Sequence, residues 1–252
     1  MRFLKLTLAY DGTDYVGWQV QPNGVSVQAM LEQAWNSITG EQLRITASGR
    51  TDSGVHALGQ VASLETRSDL PEPRLREALN ARLPNDIRIH QVEPAAVNFH
   101  AIRDAVAKTY RYCIQDGRLP DLFARRYAWH IPVDLDVQAM SEAGQRLTGR
   151  NDFSSFQASG SERLDAVRTV SNLQVTVCRP SPFRQIEIEV TADGFLYNMV
   201  RNMVGTLVEA GRGKLNPADM PRIIEARDRA AAGPTAPAHG LFLVSVDYNR
   251  AG

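Results

Sequence analysis

The sequence predicts an α+β protein made of two halves that repeat one order of elements. Three observations carry this. Period-two alternation opens each half, at Leu4, Leu6, Leu8 and Tyr10 and again at Tyr110, Tyr112 and Ile114. Each alternating run ends in an Asp-Gly turn, at Asp11-Gly12 and at Asp116-Gly117. A similar helical segment then follows in both halves, Val27-Gln28-Ala29-Met30-Leu31-Glu32 in the first and Val137-Gln138-Ala139-Met140-Ser141-Glu142 in the second.

Each element has its own local reason. Alternation along the first run buries one strand face and leaves the other polar. Val27, Leu31, Ala34, Trp35 and Ile38 share one helical face, and Gly40 suits the helix end. Strands are expected near 43–47 and 59–65, then a helix over 73–83 stopped by Pro84, then a short strand carrying Ile87 and Ile89. In the second half Val137, Met140 and Leu147 share a face, and the segment closes at Thr148-Gly149. Strands near 172–178 and 185–191, a helix over 196–210 ended by Gly211, and a strand from Leu241 to Tyr248 complete it. Both halves read β-α-β-β-α-β, the ferredoxin-like plan. The expected division is 1–104 and 105–252, joined near 100–107, with antiparallel sheets forming a central cleft. Two longer loops, 150–168 and 230–240, fall in the second half; the first holds Ser154-Ser155 and Ser159-Gly160-Ser161.

Composition narrows the function classes. With 43% hydrophobic and 22% charged residues over 252 positions, the chain can bury a large core and is not disordered. No apolar stretch approaches the roughly 18 residues of a membrane helix. Met1-Arg2-Phe3-Leu4-Lys5 does not begin a secretory signal. Cys113 and Cys178 are far apart, which predicts free thiols and a cytoplasmic protein. A net charge of zero gives no bulk reason to expect a polyanion. Yet lysine stands only at 5, 108 and 214, so arginine supplies nearly all of the 28 basic residues. Arginine pairs bidentately with phosphate and stacks on bases, although a plain compositional bias explains the count equally well.

The stretch Gly49-Arg50-Thr51-Asp52-Ser53-Gly54-Val55-His56-Ala57 places one carboxylate in a glycine-bounded turn between strand-like runs. Asp52 is either a residue that bonds its own turn or an acid presented to a ligand. Arg50 stands close enough in sequence to pair with it. Asn198-Met199-Val200-Arg201-Asn202 brings a second arginine into an apolar helix, and an arginine there has a reason if it meets a carboxylate. Lys108-Thr109-Tyr110-Arg111-Tyr112 alternates aromatic and cationic side chains; such a strand can stack bases and pair phosphates, or simply pack. His-Glu-x-x-His, Cys-x-x-Cys and a glycine loop ending in Gly-Lys-Ser/Thr are all absent. The five histidines, at 56, 90, 100, 130 and 239, are scattered and read as structural. Gly211-Arg212-Gly213-Lys214 fits a phosphate contact or a glycine-rich helix end.

Taken in order, these segments resemble the tRNA pseudouridine synthase A family, over nearly the whole chain. Tyr10-Asp11-Gly12-Thr13-Asp14-Tyr15-Val16-Gly17-Trp18-Gln19 looks like its opening signature, and Gly49 to Ala57 looks like its catalytic motif, with Ser53 where alanine is usual. Asn98-Phe99-His100-Ala101-Ile102-Arg103, Lys108 to Tyr112, Asp152-Phe153-Ser154-Ser155-Phe156 and Phe195 to Asn202 follow the family pattern. So does Pro234-Thr235-Ala236-Pro237-Ala238-His239-Gly240-Leu241. Tyr197 and Asn198 stand where histidines are common.

The resemblance implies a pseudouridine synthase fold and the isomerisation of uridine in the anticodon stem-loop, positions 38–40, of tRNA. It implies Asp52 as the nucleophile, Tyr110 stacked on the target base, and Arg201 paired with the aspartate. Leu241 would be an apolar wall of the pocket, and Arg50 would hold the flipped nucleotide. It further implies a homodimer, tRNA as partner, and neither cofactor nor metal. Three other classes compete on the residues alone, and a structural pseudo-enzyme is disfavoured because all the matched polar positions are filled. A non-catalytic RNA-binding module would have no use for Asp52, and turnover separates it. A nucleoside hydrolase would release free uracil.

Overall fold

The alternation along the N-terminal run becomes a strand, β1 (Arg2–Tyr10), whose Leu4, Leu6, Leu8 and Tyr10 are buried while the residues between them are half-buried. Each fully buried leucine contributes about 1.5–3 kcal/mol of transfer free energy. The computed structural model describes residues 1–158, 165–180 and 183–249. They fall into two compact units, Met1–Val106 with Phe242–Gly252, and Ala107–Leu241.

In the first unit, α1 (Val27–Thr39) starts where the Ser26 side chain accepts from the Ala29 N–H and stops at Gly40, φ 74°. Its Val27, Leu31, Ala34 and Trp35 are buried, the face expected from their spacing. A two-residue strand, β2 (Thr46–Ala47), precedes β3 (His56–Thr66). Then come α2 (Glu72–Arg82) and β4 (Ile87–Ala95). β1 lies between β4 and β3, antiparallel to both. β2 pairs antiparallel with β3. This is the split strand order of a β-α-β-β-α-β unit. The strand expected over 43–47 is reduced to β2, and β3 begins earlier than expected, at His56.

In the second unit, β5 (Ala105–Asp116), which starts two residues before the boundary, pairs in parallel with a short β6 (Trp129–Ile131). Next are α3 (Val137–Gln145), capped by Asp136, and β7 (Gly149–Asp152). The long pair β8 (Val167–Arg179) and β9 (Gln185–Ala192) follows. The order β5-β9-β8-β7 is antiparallel throughout. α4 (Met199–Gly211) is buried along nearly its whole length, and a short α5 (Met220–Ala226) was not expected from the sequence. α4 starts later than the apolar run because Asn198 adopts the left-handed conformation, φ 58°. Among its described residues, the loop expected at 150–168 includes most of β7, a 3-10 turn at Ser154–Phe156 and the start of β8; Ser159-Gly160-Ser161 lies outside the described residues. The final strand, β10 (Leu241–Tyr248), runs parallel to β3, with Phe242 opposite His56 and Leu243 opposite Ala57. Among the described residues no helix is long and apolar enough to cross a membrane.

Candidate active site

Asp52 lies on the connection from β2 to β3 and is half-buried, whereas Arg50 is exposed. The turn closes on itself through the Val55 N–H, which donates to the Asp52 carbonyl at 3.1 Å. Gly54 occupies the third position of that turn at φ +76°, the place where a type II turn needs a residue without a Cβ.

The segment after β1 forms the bed of this loop. Trp18 N–H donates to Thr51 O at 3.0 Å, and Gly54 N–H donates to Tyr15 O at 3.4 Å. The Ser53 hydroxyl donates to the same Tyr15 carbonyl at 3.2 Å. Two glycines make the approach possible. A Cβ on Gly12 would sit 2.0 Å from Val55 O, and one on Gly17 (φ +105°) would sit 2.5 Å from Thr51 O. The bed is tied in turn to α1, because Gly17 O accepts from Val27 N–H and Trp18 O from Gln28 N–H, at 3.2 and 3.0 Å. The opening motif of the chain is thus a backbone cradle for the Asp52 loop.

Beneath the loop lies a polar group that sequence reasoning missed. Tyr10, Ser48, Thr51 and Gln60 are all buried, at 6% exposure or less. Tyr10 Oη is 2.8 Å from Thr51 Oγ1. Gln60 Nε2 donates to Gly49 O at 2.9 Å and to Tyr10 Oη at 3.3 Å. Ser48 Oγ donates to Gln60 Oε1 at 2.7 Å. Burial pushes the Tyr10 phenol up to about 12, against the lowering influence of its Thr51 and Gln60 hydrogen bonds. A signal was present: Leu64, Ala62 and Gln60 alternate opposite Leu4, Leu6 and Leu8, so an amide occupies a core position. His56, at the start of β3, is buried and stacked on Phe242 with centroids 4.7 Å apart. Its Nδ1 is 3.0 Å from both Gly12 N and Asp11 Oδ1, as suits a structural histidine.

Tyr110, Arg201 and Leu241 lie in the second unit. Tyr110 is opposite Val190 on β9 and meets the Phe195 ring edge-on at 5.0 Å. Arg201, in the first turn of α4, donates from Nε to Ala236 O at 2.7 Å and from Nη1 to Asn198 Oδ1 at 2.9 Å. The backbone answers in the other direction, with Ala236 N–H donating to Arg201 O at 3.1 Å. Gly205 admits this loop, since a Cβ there would fall 1.6 Å from Pro234 O. The next residue, buried Asn202, locks it: Oδ1 accepts from Thr235 Oγ1 at 2.6 Å and Arg229 Nη2 at 3.0 Å, while Nδ2 donates to Phe156 O at 2.8 Å. Leu241 is buried at the end of the same segment. Its neighbour Gly240 packs under Tyr112, whose hydroxyl donates to Pro237 O at 2.8 Å and is pushed well above the usual phenol range by burial. Asn202 and Thr235 fall inside the family-like segments but neither they nor Arg229 were singled out from sequence.

The first unit offers a half-buried carboxylate on a hydrogen-bonded turn and an exposed arginine, and the second offers an arginine, an aromatic ring and a buried leucine. Among the described residues no His, Cys, Asp and Glu side chains are grouped to hold a metal ion.

The chain matches the model of a family described as tRNA pseudouridine synthase over residues 7–103 and 143–249. The first segment contains Arg50 and Asp52, the second Arg201 and Leu241, and Tyr110 falls between them. It is similar to proteins named tRNA pseudouridine synthase A. The one from Moorella thermoacetica is 50% identical over 250 residues, covering 98% of this chain and 100% of that protein. The one from Brevibacillus brevis is 47% identical over 248 residues, with the same coverage. The one from Bacillus subtilis is 45% identical over 249 residues, covering 98% and 99%.

Proposed function

The chain belongs to the tRNA pseudouridine synthase family, an isomerase family, and from that premise we propose that Asp52 is the carboxylate that drives the isomerisation. The proposed substrate is uridine in the anticodon stem-loop of tRNA, at positions 38–40. The observation that carries the assignment is the cradle. A half-buried aspartate on a turn held by Tyr15, Trp18 and Gly54 backbone bonds is presented to a ligand rather than packed into a core.

The reaction breaks the N1–C1′ glycosidic bond, turns the uracil, and joins C5 to C1′. The C5 proton is released and N1, which carries no proton in uridine, takes one up, so the product is an isomer and no redox partner is needed. A carboxylate can attack C1′, add to the base ring, or draw off a ribose proton to begin elimination; each route needs it ionised and held in place. The target must first leave its stack, at a cost of a few kcal/mol. Arg50, exposed on the same loop, is proposed to hold the flipped nucleotide through its phosphate. Tyr110 is proposed to stack on the uracil, Arg201 to supply a guanidinium, and Leu241 to wall the pocket so that the detached base is retained. A homodimer acting on tRNA in the cytoplasm completes the proposal.

The test is Asp52→Asn, assayed by tritium release from C5-labelled uridine in unmodified tRNA transcripts, with pseudouridine mapped by position. Activity is expected to fall by about a thousandfold or more, with the thermal unfolding midpoint unchanged. A folded variant with normal turnover overturns the assignment, and free uracil in the wild-type product selects hydrolysis instead.

A further inference from the structure

We infer that Tyr10 and Gln60 are positioning residues for the reaction, acting on the Asp52 loop from beneath; this rests on the assignment of Asp52 above. The amide of Gln60 has two N–H donors and one carbonyl acceptor. One N–H function reaches Gly49 O at 2.9 Å, the other reaches Tyr10 Oη at 3.3 Å, and the Ser48 hydroxyl fills Oε1 at 2.7 Å. The amide is therefore held in one orientation. Tyr10 Oη, which accepts from Gln60, also shares a hydrogen bond with Thr51 Oγ1 at 2.8 Å. The chain of bonds then grips residues 49 and 51, one on each side of Arg50, and Thr51 leads directly to Asp52.

Geometry on the strands agrees. The β1–β3 register shifts between Leu8 and Tyr10, the kind of bulge that re-aims a side chain beside a functional loop. Leu8 still faces Gln60 across the pair, whereas Tyr10 faces Ala57. A hydrophobic residue at position 60 would continue the run Leu64, Ala62 and stabilise the core. The buried amide there instead connects only to groups that hold the loop. Burial also keeps the Tyr10 phenol protonated, so it stays a donor across the working pH range.

The experiment measures kcat, KM and tRNA dissociation constant for Tyr10→Phe, Gln60→Leu and Ser48→Ala in the full chain, with unfolding midpoints alongside. Tyr10→Phe and Gln60→Leu are expected to lower kcat by between about tenfold and a hundredfold, with tRNA affinity within about twofold. Ser48→Ala, which frees the far end of the amide and also removes the hydroxyl beside Tyr248, is expected to give a smaller loss of the same kind. Should Gln60→Leu fail to fold, Tyr10→Phe carries the test, since it removes one hydroxyl from a packed ring. Lower midpoints with unchanged kcat would make the network merely structural and overturn the inference. Asp52→Asn in parallel separates the two levels: an inactive Asp52→Asn beside a fully active Tyr10→Phe sinks the positioning role alone, while an active Asp52→Asn sinks the assignment beneath it.

Discussion

The first unit holds Asp52 by its backbone, and the second holds Arg201 by its side chain. Around Asp52, bonds run from Trp18, Val55 and Gly54 to carbonyls, through glycines with no room for a Cβ. Around Arg201, a buried helix sets the Cα position and a returning loop clamps the guanidinium through Ala236. The contrast follows from chemistry. A short acid on a loop has few side-chain torsions, so pinning its main chain goes most of the way to fixing its oxygens. A long arginine on a helix starts from a fixed axis, so only its flexible arm needs a partner.

The sharpest way to break this comparison is Gly17→Ala. The new methyl meets Thr51 O at 2.5 Å from a backbone at φ +105°. Stability should fall by about 1–3 kcal/mol, and single-turnover rate by about a hundredfold as the Asp52 loop shifts. Urea unfolding and tritium release read the two effects separately; a rate loss no larger than the stability loss explains would mean the cradle only supports the fold.

The corresponding change in the second unit is Asn202→Leu, which strips partners from Phe156 O, Thr235 and Arg229. We expect about 3 kcal/mol of destabilisation in urea, with a smaller rate loss than Gly17→Ala at matched folded fraction. The reverse order of rate effects would show that the Ala236 clamp, not the Asp52 cradle, is the more demanding support.

Next in size is a pH effect confined to the first unit. The Tyr10 phenol ionises near about 10 when unfolded and near about 12 when folded. Folding favours its neutral form. Its stabilisation is therefore complete below the unfolded value and lost as pH rises through the folded one. Over that window the wild type should lose about 2 kcal/mol more than Tyr10→Phe does, measured by urea unfolding at stepped pH. Parallel profiles would show that the phenol is not held neutral by burial.

The smallest effect lies at the surface of the second unit. Hydrogen bonds from Ser154 hold the Asp152 carboxyl below the usual carboxylate range, helped by Arg227. That contribution is present above the unfolded value and lost as pH falls through the folded one. Asp152→Asn should flatten the acid limb by less than about 1 kcal/mol; a larger change would mean this ion pair carries more than surface pairs do.

Much of the fold was legible because periodicity reports burial directly. The alternation at Leu4 to Tyr10 and the face Val27, Leu31, Ala34, Trp35 appear in β1 and α1 as read. α2 and β9 fall within a residue of their expected limits. What periodicity could not report was partnership. β2 shrank to two residues because the chain before it is tied to α1, with Ile45 N–H bonded to Glu32 and Ile45 O to Gln28. The late start of α4 depends on one residue, Asn198, taking a positive φ.

The sequence by itself determined the α+β class, the family, and the motif in which Asp52 and Arg50 stand. These are matters of local pattern, of which residue types recur at which spacing. Tertiary structure alone decided that a Cβ at Gly12 or Gly17 would collide with the Asp52 loop, that Gln60 grips Gly49 and Tyr10, and that β10 lies beside β3. Those facts turn on atoms brought within about 3 Å from positions tens or hundreds of residues apart. A spacing rule sees which face of an element is buried; only the packed chain shows what that face meets.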